Sequence, residues 1–309
     1  MSERRPGRLG VGVVGAGRVG AVLGNALRGA GHAVVGVSAI SDASRERAAA
    51  MLPGVPVLEI GEIVERAELV LLTVPDDALA QLVQGVARVG GWQPGQLVVH
   101  TSGRHGTDVL APAFRAGAIP LAIHPAMSFT GTSLDLARLV GTSFAVTAPA
   151  AVLPIGQALV VEVGGEPVVV DEAARPLYHA ALEHGANHLV VLVAQAAQAL
   201  EAAGVEHPGR LLHPLLGAVL DGAARAADTR EEGVGPGAIA ALGGAVASGD
   251  DAAVRAHADA LAALAADSGA TDVPSSYADL TRASVRRALA ARRIDAQTAR
   301  ALLDALDAG

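Results

Sequence analysis

Three glycines near the start of the chain have the spacing of a phosphate-binding turn. Gly15, Gly17 and Gly20 follow a short apolar run and precede a stretch with helical periodicity. Between a strand and a helix, the first glycine permits a tight turn, the second lets the backbone approach a pyrophosphate, and the third lets helix and strand pack closely. Free N–H groups at the helix N-terminus favour a phosphate. The pattern predicts a dinucleotide site that includes Arg18 and Val19.

The tip of the second strand indicates which dinucleotide binds. It reads SAISDASR, residues 38–45, where an NAD-binding domain carries an acidic residue for the ribose 2′-hydroxyl. Asp42 comes too late in the sequence for that contact and is expected to cap the next helix. Ser38, Ser41 and Arg45 could instead hold a 2′-phosphate. The sequence therefore favours NADP, with NAD as the alternative cofactor.

Strand and helix patterns alternate as far as residue 170. Apolar runs that suit strands buried on both faces are separated by amphipathic stretches of helical period. This alternation predicts a doubly wound parallel sheet whose ligands bind at the carboxyl ends of the strands. From residue 171 the pattern is helical, beginning with one long helix. We expect an α/β fold with a Rossmann domain at 1–170 and an all-α domain for substrate binding and dimerisation at 171–309.

Composition narrows the classes of function. The 309 residues carry a net charge of −8 without a basic block that could follow a phosphate backbone, so we expect no nucleic-acid partner. No apolar stretch suggests a membrane span, and a cytoplasmic location is the default expectation. The chain has no Cys, and all 23 basic residues are Arg, which excludes thiol and lysine nucleophiles. No spacing of ligand residues indicates a metal site.

Four motifs occur in an order that resembles a known family. They are LLTVPDDAL at 71–79, HTSGRHG at 100–106, IHPAMSFTG at 123–131 and HGANHLVVLVAQA at 184–196. The chain resembles Rossmann-like proteins with a helical C-terminal domain of unknown function. These are relatives of ketopantoate reductase, pyrroline-5-carboxylate reductase and prephenate dehydrogenase.

The resemblance implies an NAD(P)-dependent oxidoreductase that reduces a small-molecule keto acid or imine. Ketopantoate is the leading substrate candidate. The alternatives are a cyclic-imine reductase of the pyrroline-5-carboxylate reductase type and a catalytically silent dinucleotide-binding sensor. The resemblance also implies a helical domain like the C-terminal domain of 6-phosphogluconate dehydrogenase, which would form a homodimer.

The motifs place candidate residues beside the nicotinamide. The resemblance implies that Val74, Pro75 and Asp76 lie along the nicotinamide ribose, and that Ser102 and His124 match a Ser and a His of prephenate dehydrogenases. Independently, hydride transfer to a carbonyl builds negative charge on oxygen and needs a donor at the strand ends. His124 is expected to donate a proton near neutral pH, with Ser102 orienting it or binding the substrate. A turn histidine and a capping serine are the structural alternatives.

The long helix offers a further polar face. His179, Glu183 and Asn187 are spaced four residues apart and share one side of a helix. We expect Asn187 to bind a substrate carboxylate or carbonyl. Related reductases place a lysine at the position of Glu183, so a lysine-based mechanism is excluded. An arginine expected later in the family pattern is missing, and Arg210 or Arg282 could replace it.

Overall fold

The computed structural model describes residues 8–231 and 235–307. Contacts divide the chain into two compact units, Met1–Gly185 and Ala186–Gly309. The division falls beyond residue 170, where the strand pattern of the sequence stops. The reason is that the long helix begins inside the first unit, where its first residue, Arg175, is hydrogen-bonded to the ends of strands.

A seven-stranded sheet forms the centre of the first unit, in the order β2-β1-β3-β4-β5-β6-β7. Its strands are β1 (Gly10–Val14), β2 (Ala33–Ser38), β3 (Leu69–Leu72), β4 (Leu97–His100), β5 (Ile119–Pro125), β6 (Ser143–Thr147) and β7 (Glu166–Val169). Neighbouring strands are parallel except β5 and β6, which are antiparallel. The predicted α/β fold class is confirmed, and the sheet departs from an all-parallel one at β6 and β7, which run antiparallel to the other five strands.

Helices cover both faces of this sheet. They are α1 (Arg18–Gly29), α2 (Asp42–Met51), α3 (Ile60–Arg66), α4 (Asp76–Arg88), α5 (Ala111–Arg115), α6 (Leu134–Leu139) and α7 (Leu153–Glu162), with short 3₁₀ helices at Thr107–Leu110 and Glu172–Ala174. α1, α2, α6 and α7 supply one core cluster, and α3, α4 and α5 supply the other. Trp92, the chain's one tryptophan, is buried in the second cluster and donates to Val83 O at 3.1 Å.

The order of the strands locates a ligand crevice. β2 lies on one side of β1 and β3 lies on the other, so the direction in which the sheet grows reverses at β1. In open α/β sheets, ligands bind outside the carboxyl ends of the strands at such a switch point. The three glycines follow β1 at this edge.

The second unit is helical. It holds the later part of α8 (Arg175–Ala202), followed by α9 (Pro208–Ala227), α10 (Gly244–Ser248), α11 (Asp251–Ser268), α12 (Asp272–Ala290) and α13 (Ala296–Asp307), with a 3₁₀ helix at Gly237–Ala241 and paired residues Arg230–Glu231 and Gly235–Pro236. Its core lies among α10 to α13 and includes Val254, Val285 and Leu302. Across the described residues, no helix is both long and apolar enough to cross a bilayer.

Candidate active site

The glycine turn has one crowded side and one open side. Gly15 has φ +101°, a conformation that L side chains rarely adopt, and its N–H donates to Ser38 Oγ at 2.9 Å. A Cβ at Gly20 would collide with Gly15 O and Thr73 Oγ1, whereas a Cβ at Gly17 would meet no atom nearer than 4.0 Å. The open face at Gly17, at the start of α1, is therefore the place where a ligand's phosphates can approach the backbone.

Two further side chains hold the turn in place, and sequence reasoning missed both. Thr73, directly after β3, donates from Oγ1 to Gly15 O at 2.6 Å. Arg47 on α2 donates to Ala16 O at 3.2 Å. Neither belongs to the glycine motif. The position of Thr73 directly after the neighbouring strand could have indicated its contact with the turn. No such indication exists for Arg47, because α1 and β2 separate it from the turn in the sequence.

The structure divides the roles of the residues at the tip of β2. Ser38 is buried and braces the glycine turn, while Ser41 and Arg45 are exposed. The expected cap at Asp42 is wrong. Ser41 caps α2 by accepting from Ser44 N at 3.2 Å, because its extended backbone brings its oxygen over the first turn of the helix. Arg45 donates to Ala39 O and lies 3.5 Å from Asp42.

Val74, Pro75 and Asp76 form the connection between β3 and α4. Pro75 occupies the N-cap position and Asp76 is the first residue of the helix. Because β3 is the neighbour of β1, this connection and the glycine turn lie at the same edge of the sheet. Their predicted contact with the nicotinamide ribose stays a prediction.

His124 near the end of β5 pairs with Tyr178 on α8, a residue that sequence reasoning missed. Nδ1 of His124 lies 2.9 Å from the Tyr178 hydroxyl, and the rings meet edge to face. Burial lowers the pKa of His124 to about 4, with Arg175 and His179 lowering it further and Asp76 opposing them. The imidazole is therefore neutral at pH 7, and proton donation by His124 to a substrate stays a prediction. Burial raises the pKa of Tyr178, opposed by Arg175.

Arg175 is a fully buried cation behind this pair. Its guanidinium donates to Thr147 Oγ1, Ser102 O, Ala122 O and Ala145 O at 2.8 to 3.2 Å, and lies 5.9 Å from the centre of the Tyr178 ring. Burial lowers its pKa, while Tyr178 and Glu172 raise it. Within the described ranges, no carboxylate forms an ion pair with it. A buried positive charge with no carboxylate in direct contact favours negative charge nearby.

Ser102 is held within the loop after β4, residues 101–106. Its N–H donates to His100 Nδ1 at 3.2 Å, and its Oγ accepts from His105 N at 3.2 Å. His100 also hydrogen-bonds Gly106 O through Nε2 at 2.7 Å, and burial lowers its pKa to about 4. Neutral His100 can satisfy both contacts at once, with the proton on Nε2. The loop conformation thus depends on a buried histidine, and the role of Ser102 towards substrate stays a prediction.

Gly103 in this loop lets two histidines approach the same point. A Cβ there would lie 2.6 Å from His179 Cδ2 and 3.0 Å from His124 Nε2. His179 also lies 3.9 Å from Glu183 on the same helix. No group of three or more His, Asp or Glu side chains in the described part of the chain could hold a metal ion.

The remaining predicted residues lie in the second unit. Asn187 is exposed on α8, and its substrate contact stays a prediction. Arg282 is engaged by Asp307 at 2.8 Å and Asp279 at 3.5 Å, which raise its pKa. Arg210 is exposed on α9.

Comparisons with known proteins agree with this architecture. Residues 1–125 match the family described as a Rossmann-like domain, and residues 142–284 match a domain of unknown function, DUF2520. No curated protein matches the sequence.

Several solved structures share the fold at low identity. A protein from Bacteroides fragilis, proposed to be an NADP oxidoreductase, is 21% identical with a TM-score of 0.68, over 90% of this chain and 98% of that one. A protein from Thermotoga maritima is 20% identical with a TM-score of 0.63, over 91% and 99%. An imine reductase from Myxococcus stipitatus in complex with NADP+ is 18% identical with a TM-score of 0.62, over 96% and 98%. The chain thus has one region similar to a Rossmann-like domain and a second region, which begins just before β6, similar to DUF2520.

Proposed function

We propose that the protein is an NADP-dependent oxidoreductase that reduces a small carbonyl compound. The observation that carries the proposal is the open face of Gly17 in a turn whose other side is filled, because this is the shape that admits a pyrophosphate. Two of the structural relatives support the choice of cofactor, since one is proposed to be an NADP oxidoreductase and the other holds NADP+.

We infer the cofactor-binding residues from the position of this turn and of the neighbouring strand ends. Gly15, Gly17 and Gly20, with Arg18 and Val19 at the start of α1, would take the pyrophosphate. Ser41 and Arg45 would face a 2′-phosphate, with Ser38 fixing the turn. The connection at 74–76 would lie beside the nicotinamide. When bound, the reduced cofactor supplies a hydride.

Tyr178 supplies the proton in this proposal. Burial keeps the phenol protonated, and of the two His124 tautomers the one with its proton on Nδ1 donates to the Tyr178 oxygen and leaves the phenolic hydrogen free for substrate. After proton transfer, the same His124 N–H and the Arg175 charge would stabilise the phenolate. His124 thus acts as a hydrogen-bond donor to the Tyr178 hydroxyl, which is the proposed general acid.

The electrostatics favour a carbonyl substrate over an imine. A carbonyl develops negative charge as it accepts hydride, whereas an imine is reduced most readily as a cation. The buried positive charge of Arg175 stabilises the negative charge on the carbonyl oxygen and destabilises a cationic imine. We therefore retain a small keto acid, with ketopantoate first, ahead of a cyclic imine.

The deciding experiment is a calorimetric titration with NADPH and then NADH. Wild-type protein should bind NADPH more tightly, and Gly17→Asp should lose binding because its carboxylate would occupy the phosphate position. Gly61→Asp is the matched control, since Gly61 also has open space but lies on α3. The second experiment measures whether ketopantoate oxidises NADPH in the presence of the protein. If Gly17→Asp binds NADPH as tightly as wild type, the proposed phosphate site is rejected. If wild type binds NADPH but no keto acid or cyclic imine oxidises it, a sensor is favoured.

We further propose a homodimer in the cytoplasm, formed through α8 and α9. Leu211, Leu215 and Val219 lie on one side of α9 and are 45–54% exposed, and Val190 on α8 is 67% exposed. An open cavity of about 280 Å³ beside α8 is lined mainly by apolar side chains, including Leu192 and Leu280. Exposed apolar side chains spaced along one side of a helix are typical of a subunit interface.

A further inference from the structure

Arg104 is an exposed cation next to the His124–Tyr178 pair. It follows Gly103, whose missing side chain leaves room for the His124 imidazole. Its own side chain is 52% exposed, and its Nε lies 3.8 Å from Asp76 Oδ2, which is longer than a hydrogen bond. One further contact, from Nη2 to His105 Nε2 at 3.0 Å, engages a neutral acceptor. Most of the guanidinium's donors thus remain available to a ligand.

Five other arginines of the first unit either lie elsewhere on the sheet or are buried. Arg18, Arg45 and Arg47 lie around the glycine turn and the tip of β2. Arg175 lies at the same edge as Arg104 but is fully buried. Arg115 ends α5, ahead of β5, and therefore lies at the opposite edge of the sheet.

We propose that Arg104 is the receptor for a carboxylate on the substrate, an inference that rests on the proposed function and deepens it. The planar guanidinium matches a carboxylate with two parallel hydrogen bonds, and the substrate class is accordingly a 2-oxo acid. With the carboxylate on Arg104, the adjacent keto carbon is held over the Gly103 side of the loop, where His124 and Tyr178 lie. In the free protein Arg104 forms only a long ion pair with Asp76, and the substrate carboxylate replaces this contact.

Binding of oxamate tests this directly, because oxamate is a 2-oxo acid analogue that resists hydride transfer. Calorimetry is carried out with oxamate and with its uncharged ethyl ester, both with and without NADPH. Wild-type protein should bind oxamate at least about tenfold more tightly than the ester, as expected for a charge-assisted contact. Arg104→Gln should abolish that difference, and Arg104→Lys should restore part of it. Arg115→Gln, an arginine change at the opposite edge, should preserve it.

The outcomes separate this inference from the proposed function. An equal affinity of wild type for acid and ester, or an undiminished preference in Arg104→Gln, overturns the role of Arg104 while leaving NADPH binding and oxidation intact. Failure to bind or oxidise NADPH overturns the reductase, and the oxamate preference measured without NADPH still decides whether Arg104 binds a carboxylate.

Discussion

At the scale of single residues, the sequence located one member of the proposed catalytic pair and missed the other. His124 was predicted because a polar residue at the end of an apolar strand is visible in the sequence. Tyr178 adjoins His179, which was chosen for its spacing from Glu183, yet spacing along a helix does not reveal which side faces the sheet. The neutral state of His124 was also hidden, since it results from burial and from Arg175, 51 positions away in the chain.

Tyr178→Phe should lower kcat by about 10²-fold or more, because the variant loses the donor and keeps the ring. NADPH affinity should be unchanged. Adding His124→Ala to this variant should cost little more, since His124 acts through the phenol. The matched control is Tyr277→Phe, which removes a hydroxyl that is similarly paired with a histidine, His257, at 3.1 Å in the second unit. Steady-state kinetics measure kcat for Tyr178→Phe and for the control. An unchanged kcat in Tyr178→Phe would show that Tyr178 does not donate the proton.

At the scale of elements, local patterns were sufficient for the strands and the glycine turn but not for the connections that shape the site. Apolar runs and three glycines lie within single stretches of sequence, and these predictions rest on the residues themselves. The antiparallel pairing of β6 depends on contacts between distant segments. The same holds for the loop at 101–106, whose conformation depends on the buried imidazole of His100 and on Arg175.

Stability should fall as the pH drops below about 6.5, in part because of His100. Its pKa is about 4 in the folded protein against an ordinary 6.5, so between these values the unfolded chain holds a proton that the folded protein lacks. The stabilisation is complete above pH 6.5 and is lost progressively towards pH 4, by about 3 kcal/mol for His100. His124 acts in the same direction.

Urea unfolding at pH 7 and pH 5 measures this dependence. His100→Gln should be less stable than wild type at pH 7, because the two loop contacts are weakened, yet it should lose less stability between the two pH values. Above pH 7, where the imidazole is neutral in both states, the two proteins should show the same dependence on pH. An equal loss between pH 7 and pH 5 would show that His100 is not the titrating group.

At the scale of the whole molecule, the sequence predicted a sheet part followed by a helical part. The long helix expected after residue 171 is observed over Arg175–Ala202. Alternation of patterns revealed this arrangement because it persists over many elements. The surface of α8 and α9 could not be assigned in that way, since an apolar stripe on a helix looks the same in sequence whether it packs within the chain or against a second copy.

Leu215→Glu should convert the proposed dimer to a monomer. A carboxylate on the apolar face of α9 would be buried without a partner in the dimer and remain solvated in the monomer. Light scattering should give twice 30.8 kDa for wild type and 30.8 kDa for the variant. Val140→Glu is the control, because Val140 is 71% exposed and lies outside this face. A monomeric wild type would refute the dimer.

The position of Trp92 makes the two units separately observable. As the chain's one indole, buried between α4 and the sheet, it makes tryptophan fluorescence a probe of the first unit alone. Far-ultraviolet circular dichroism, by contrast, records the helices of both. If the two signals change together in denaturant, the units unfold as one cooperative system. If fluorescence changes at a different concentration, the helical unit has a stability of its own.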